Sequence, residues 1–239
     1  MAKYDIEEIR EKHKGRKLVI LANGPSAMDR VDTKGVDKAL IQQMEIDRLG
    51  YVDMSDVTDN LWTMNGAWYY HPNSTLGFNM DDVSTVIPDG NHPQGEWFMS
   101  LMDKSNIPIM TTTEYEEYSD LVAYPIKEVI RYHNMAYFAE SLNYMLAFAI
   151  YCEVSEIELH GADYTDDHEC PWERASNEFW LGVAHGKGIV IKIPAISKLL
   201  KHSDNRKGEL DRFVEGFYGY LKTNFPLERD EHGSLLLDD

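Results

Sequence analysis

The sequence predicts an α/β fold, a mostly parallel sheet with helices on both faces, and three observations point there. An apolar run of strand length, residues 17–22, ends abruptly in Asn23-Gly24-Pro25-Ser26. Val19, Ile20 and Leu21 suit a strand buried on both faces, and such strands belong to parallel sheets. Second, a helical stretch at 135–152 passes through Glu153-Val154-Ser155 into an apolar-polar run at 156–160. That is a helix-then-strand crossover of about the length parallel neighbours need. Third, a β-branched strand at 188–193 follows another helix and is closed by Pro194.

Composition sets the frame for these elements. The chain has 239 residues, 43% hydrophobic and 27% charged, which is the balance of a globular chain able to bury a sizeable core. One large domain is expected, organised as an N-terminal helix at 1–16, a sheet domain at 17–201 and a C-terminal helical extension at 202–239 with a frayed tail. The 41 acidic against 23 basic residues leave a formal charge of −18. That field repels nucleic acid and anionic membranes, so a nucleic-acid partner is not expected. A local basic pocket for one nucleotide is still allowed, because screening confines charge effects to about 8 Å at physiological salt. Cys152 and Cys170 have no partner pattern for zinc or for a thiol nucleophile, and the start, Met1 to Glu8, lacks the apolar core of a signal peptide. A cytoplasmic protein with free thiols and no membrane span is expected, and a homo-oligomer is left open. The acidity and short length suit a bacterial or bacteriophage protein.

Along the chain, Ile6 and Ile9 among charges give a weakly amphipathic helix at 4–16. A helical candidate at 36–49 precedes a short strand at 61–64, which ends in Asn65-Gly66, a pair that also marks plain tight turns. A third strand is read at 83–87, before the turn-rich Pro88 to Pro93, then a helical segment at 95–102 and a strand at 107–111 beside Pro108. Residues 114–124 read as a solvated acidic and aromatic connection. Phe138, Leu142, Met145, Leu146 and Ala149 recur at helical spacing within 135–152. The strand at 156–160 ends in Gly161-Ala162-Asp163-Tyr164, which sets an acid and an aromatic residue at the strand's carboxyl end, the edge where open α/β sheets bind ligands. A helix at 173–184 ends at Gly186 or Gly188, and a short helix is read at 195–201. Phe213, Phe217, Tyr218 and Tyr220 imply a packed C-terminal helix, and 233–239 should fray.

Several residues could carry chemistry. At Asn23-Gly24-Pro25-Ser26, Gly24 admits close approach of a ligand and Pro25 can open a helix whose free N–H groups attract an anion, although the same residues make an ordinary strand-to-helix turn. The turn lacks the lysine of a phosphate-binding Gly-Lys-Ser/Thr loop. Asp163, Asp166, Asp167 and His168 form the densest polar cluster. They could hold a divalent metal, or Asp163 could bind hydroxyls while His168 moves a proton, or the acids could simply solvate a loop. His185 stands at a predicted helix end, where a cation is stabilised by the dipole. Arg174 with Glu173 and Glu178 could clamp a phosphate or just face water, and Trp172 and Trp180 could stack on a ring or fill the core.

Taken in order, Leu21-Ala-Asn-Gly-Pro-Ser26, Met64-Asn-Gly66, Ser141 to Ile150 and Glu156-Ile-Glu-Leu-His-Gly-Ala-Asp-Tyr164 give the chain a resemblance to the bacterial sialyltransferases and their relatives. Those relatives share a Rossmann-like domain with flagellin-glycosylation accessory proteins and the archaeal hydroxymethyl-dihydropterin pyrophosphokinase, and the resemblance spans about residues 17–200. It implies a single-domain, Rossmann-like α/β fold and a transferase using a nucleotide-activated donor, a nucleotide sugar, as substrate. No permanently bound cofactor is implied. By the same resemblance Asn23, Gly24, Pro25, Ser26, Asn65, Ser141, Gly161, Asp163 and Tyr164 contact the donor nucleotide, and the general base is His168 or His185. A small-molecule or glycan hydroxyl is the implied acceptor. Two other readings stay open: a pterin-type pyrophosphokinase, which would need ATP and Mg²⁺, and a nucleotide-binding or sequestering protein without turnover.

Overall fold

The computed structural model describes residues 4–22, 58–65, 67–71, 73–81, 105–114, 118–164, 171–194, 197–203, 213–214, 228–229 and 235–236. Its centre is a seven-stranded sheet built from β1 (Lys17–Leu21), β2 (Leu61–Met64), β3 (Ser74–Asn79), β4 (Ile109–Thr111), β5 (Leu121–Ala123), β6 (Glu156–His160) and β7 (Val190–Lys192). The order across the sheet is β5-β4-β3-β2-β1-β6-β7, and every neighbouring pair is parallel. This is the single-domain, Rossmann-like α/β architecture expected from the sequence. The chain lays down β1 to β5 in one direction and then returns to place β6 on the free side of β1. Strand order therefore reverses between β1 and β6, with Leu21 paired to His160 at the carboxyl end of the junction.

Local sequence explains the helices. In α1 (Ile6–His13), Asp5 caps the first turn by accepting from the N–H groups of Glu7 and Glu8, at 2.9 and 3.2 Å. After the short α2 (Ala67–Tyr70) and the sheet's far side come α3 (Ile126–His133) and α4 (Ser141–Tyr151). Asn134, in the left-handed region at φ 51°, ends α3, and its N–H returns to the carbonyl of Ile130. The last long helix is α5 (Pro171–Gly186).

Both faces of the central strands are buried, as a parallel sheet requires. Leu18, Ile20, Trp62, Leu76, Phe78, Ile157 and Leu159 form one face of the core with Leu142, Met145, Phe148 and Trp180 from α4 and α5. Phe148 is fully buried, with its ring centroid 5.7 Å from that of Trp62 and 5.8 Å from that of Tyr124. Val19, Leu21, Leu61 and Ile109 are buried on the other face. Trp68 of α2 lies over Gly77 there, so closely that a Cβ added to Gly77 would stand 3.1 Å from Trp68 Cδ1.

Several sequence expectations differ from the structure. Ser74–Asn79 is a strand that the sequence reading passed over, and Leu121–Ala123 is a buried edge strand where a solvated connection was expected. The helix expected over 135–152 starts only at Ser141, because α3 ends at Asn134 and Glu140 is fully extended at φ −160°. Residues 197–201 form turns rather than helix. Phe213–Val214 pairs antiparallel with β8 (His202–Ser203) as β9, which replaces the expected C-terminal helix at that point. Within the tail expected to fray, β11 (Leu235–Leu236) pairs with β10 (Glu228–Arg229). The helical segments expected at 36–49 and 95–102 and the strand at 83–87 lie outside the described residues.

No helix among the described residues is long and apolar enough to cross a membrane.

Candidate functional site

The carboxyl ends of β1, β2 and β6 converge on the point where strand order reverses, the place where open α/β sheets form a ligand crevice. On β1 the last described residue is Ala22, whose N–H donates to the carbonyl of His160 at 2.8 Å. Ala22 immediately precedes the Asn23-Gly24-Pro25-Ser26 segment. Those four candidates, together with Asp166, Asp167 and His168, lie outside the described residues.

Asn65 follows β2 and adopts φ 53°, a left-handed conformation that asparagine tolerates better than most residues. Its N–H donates to the carbonyl of Phe78 at 2.6 Å, which fixes the turn against β3. Its Oδ1 is buried and finds no hydrogen-bond donor among the described residues. Since β1 separates β2 from β6, Asn65 and Gly161 stand two strand spacings apart, about 10 Å across the sheet.

The turn after β6 is held from both sides. Gly161 takes φ 75°, which glycine adopts without strain, and Tyr164 takes φ 52°. Ser197 Oγ donates to the carbonyl of Ala162 at 2.7 Å, and the Lys198 N–H donates to the carbonyl of Asp163 at 2.7 Å. Asp163 is 1% exposed. Residues 197–201 are in turn strapped to α5: Glu178 Oε1 accepts from the Leu200 N–H at 2.9 Å and from Arg174 Nε at 2.8 Å, while Arg174 also donates to the carbonyl of Lys201. The Arg174 and Glu178 pair considered as a phosphate clamp is thus engaged in holding this strap.

Ser141 opens α4, which runs back across the sheet, so its N-terminus meets the carboxyl edge beside Tyr164. A buried polar network makes that junction. The Tyr164 hydroxyl donates to Glu140 Oε1 at 2.5 Å, and the Asn177 amide donates to both groups. Asn143 Oδ1 accepts from the N–H groups of Ala139 and Glu140 and from Ser176 Oγ, and its amide donates to Asn177. Asn143, Ser176 and Asn177 are fully buried. Burial raises the Glu140 carboxyl above its ordinary value, and the hydrogen bonds from Tyr164 and Asn177 act in the opposite direction. Burial, reinforced by the charge of Glu140, raises the Tyr164 phenol strongly.

Sequence reasoning did not select Glu140, Asn143, Ser176 or Asn177 as site residues. The available signal was that Glu140, Ser141 and Asn143 interrupt an otherwise apolar helical stretch, since polar groups are retained in a core only when they are satisfied. It also did not select His160, the final residue of β6, whose Nε2 stands 2.8 Å from Glu158 Oε1.

The structure thus sets Asn65, Ser141, Gly161, Asp163 and Tyr164 along one edge. His185 is elsewhere: it is exposed in the last turn of α5, and β7 then begins at Val190, paired with Glu156 at the opposite, amino end of β6. It stands where a cation complements the helix dipole, and the sheet's length separates it from Asp163. Trp180 belongs to the core and donates to the carbonyl of Tyr137 at 2.6 Å, whereas Trp172 is 61% exposed at the start of α5. Cys152 is a buried free thiol whose ionisation burial opposes. No protein family and no curated protein matches the chain in sequence.

Proposed function

We propose that the protein is a transferase that binds a nucleotide-activated donor, a nucleotide sugar, across the carboxyl edge of β1, β2 and β6 and passes its glycosyl group to a hydroxyl acceptor. The observation that carries this reading is the reversal of strand order at β1 and β6, with Asn65, Gly161, Asp163 and Tyr164 gathered on that edge. Asn65 Oδ1, buried and without a donor among the described residues, is available to accept from a ligand hydroxyl or amino group. On this reading the Asn23-Gly24-Pro25-Ser26 segment following Ala22 stabilises charge on the leaving phosphate. The buried network from Glu140 to Asn177 holds the Gly161 to Tyr164 turn rigid, which lowers the ordering cost of binding.

The test is a thermal-shift panel of metal-free protein with CMP, UDP, GDP, ADP, ATP and nucleotide sugars, each repeated with Mg²⁺. A ligand at 100 times its dissociation constant adds about 2.7 kcal/mol of stability. Stabilisation by a nucleotide sugar and its parent nucleotide without metal supports the proposal. A response to ATP and Mg²⁺ alone would replace it with pyrophosphoryl transfer, and silence across the panel would remove it.

A further inference from the structure

Glu158 and His160 lie two residues apart on β6, so their side chains share one face of the sheet. On the neighbouring strands this face carries the buried apolar Val19 and Leu21 of β1, with Thr63 of β2 beyond Leu21, and on the other side Lys192 of β7, which stands opposite Glu158 and donates to Glu156 of the same face at 2.9 Å. A carboxylate and an imidazole in that setting cost desolvation, and replacing such pairs by apolar groups is often neutral or stabilising. Stability alone is therefore a weak reason for the pair. Its position offers a better one. His160 is paired with Leu21 at the β1/β6 junction, accepts the Ala22 N–H through its carbonyl, and directly precedes Gly161. His160 thus stands at the carboxyl end of β6, on the edge that carries Gly161 and Asp163, with its side chain 10% exposed.

Its chemistry is set by Glu158. A carboxylate only accepts, so the 2.8 Å contact makes Nε2 the protonated nitrogen and leaves the lone pair of the neutral ring on Nδ1. The His160 side chain is 10% exposed and that of Glu158 22%, so water screens the pair only partly. An imidazole held by a carboxylate at one nitrogen is oriented to take a proton at the other, and the carboxylate then stabilises the imidazolium.

We propose that His160 is the general base of the transfer reaction and Glu158 its positioning residue, an inference that rests on the nucleotide-donor reading. Nδ1 takes the proton of the acceptor hydroxyl as that oxygen bonds to the transferred carbon. The bond from this carbon to the donor's phosphate oxygen breaks, its electron pair leaves on the phosphate, and the imidazolium later returns its proton to solvent.

The test uses the nucleotide sugar that stabilises the wild-type protein most, with release of free nucleotide as the readout. His160→Asn should bind the parent nucleotide within about twofold of wild type yet release nucleotide about 10² to 10³-fold more slowly, losing the acid limb of the pH–rate profile. Glu158→Ala should slow nucleotide release while leaving nucleotide affinity within about twofold, and its ¹⁵N shifts should show the His160 proton no longer confined to Nε2, because the acceptor that fixes the tautomer is gone. In the wild-type protein, ¹⁵N chemical shifts should show His160 protonated at Nε2, with Nδ1 responding to the nucleotide. Binding with turnover within about threefold of wild type in His160→Asn, or a His160 ring protonated at Nδ1, would overturn the inference and leave the donor reading standing. A wild-type protein that neither binds nor releases any nucleotide of the panel would overturn both.

Discussion

His13 should make folding stability depend on pH between neutrality and about pH 4. The imidazole is fully buried at the end of α1, its Nδ1 lies 2.7 Å from Asn60 Oδ1, and its ring meets that of Trp62 edge-on at 5.0 Å. Burial, the largest cause, lowers its pKa from 6.5 to about 4, against the opposing hydrogen bond to Asn60. Between those values the unfolded chain holds the proton and the folded chain does not, so stability rises with pH across this window and is lost on acidification. Going from pH 7 to pH 5 should remove about 2 kcal/mol through this residue. Urea unfolding at pH 7, 6 and 5, followed by tryptophan fluorescence, measures the loss. His13→Gln keeps an amide donor near Asn60 but cannot titrate, so its stability should fall by about 2 kcal/mol less than that of wild type over the same interval. Parallel curves for the two proteins would refute the argument.

Three further outcomes follow from packing and charge. Phe148→Ala empties a site lined by Trp62, Phe78 and Tyr124, and urea unfolding should show a loss of about 3 to 5 kcal/mol. Gly77→Ala brings a methyl group to 3.1 Å from Trp68 and 3.3 Å from Ile109, both buried, and should cost about 1 to 3 kcal/mol by the same measurement. Because the folded pKa of Glu140 is raised, the folded chain holds its proton more tightly than the unfolded chain. Stability due to this group then declines as pH rises above the ordinary carboxylate value of 4.5. Glu140→Gln should flatten that decline in unfolding free energies measured from pH 4 to pH 8.

The elements that could be read from the sequence are those whose burial leaves a pattern. β1 and β6 are apolar runs or alternations ended by turn residues, and α4 and α5 carry apolar residues at helical spacing. β3 escaped because Ser74-Thr-Leu-Gly-Phe-Asn79 mixes polar residues with a glycine, and that glycine is there because Trp68 crosses it. β5 has three residues, too few for any period to show, and gains its stability from pairing with β4. Phe213 fits a helical spacing of aromatic residues with Phe217 and Tyr220, yet Phe213 and Val214 pair with Ser203 and His202 as a strand. The Gly161 to Tyr164 turn was legible as a strand end with an acid and an aromatic residue. The Glu140, Asn143 and Asn177 network was not, because its partners lie 34 to 37 residues apart in sequence and meet only when α4 and α5 pack. His185 illustrates the converse: helix length and direction, which the sequence indicated, carry it to the amino edge.

The most direct measurement is calorimetric titration of the panel's tightest nucleotide into wild-type protein and into Asp163→Asn, Asn65→Ala and His185→Ala. Binding at the carboxyl edge predicts that the first two variants weaken affinity about tenfold or more, equivalent to about 1.4 kcal/mol, while His185→Ala binds as wild type does. Affinity unchanged in both edge variants, or lost in His185→Ala alone, would contradict a nucleotide site at the β1/β6 junction.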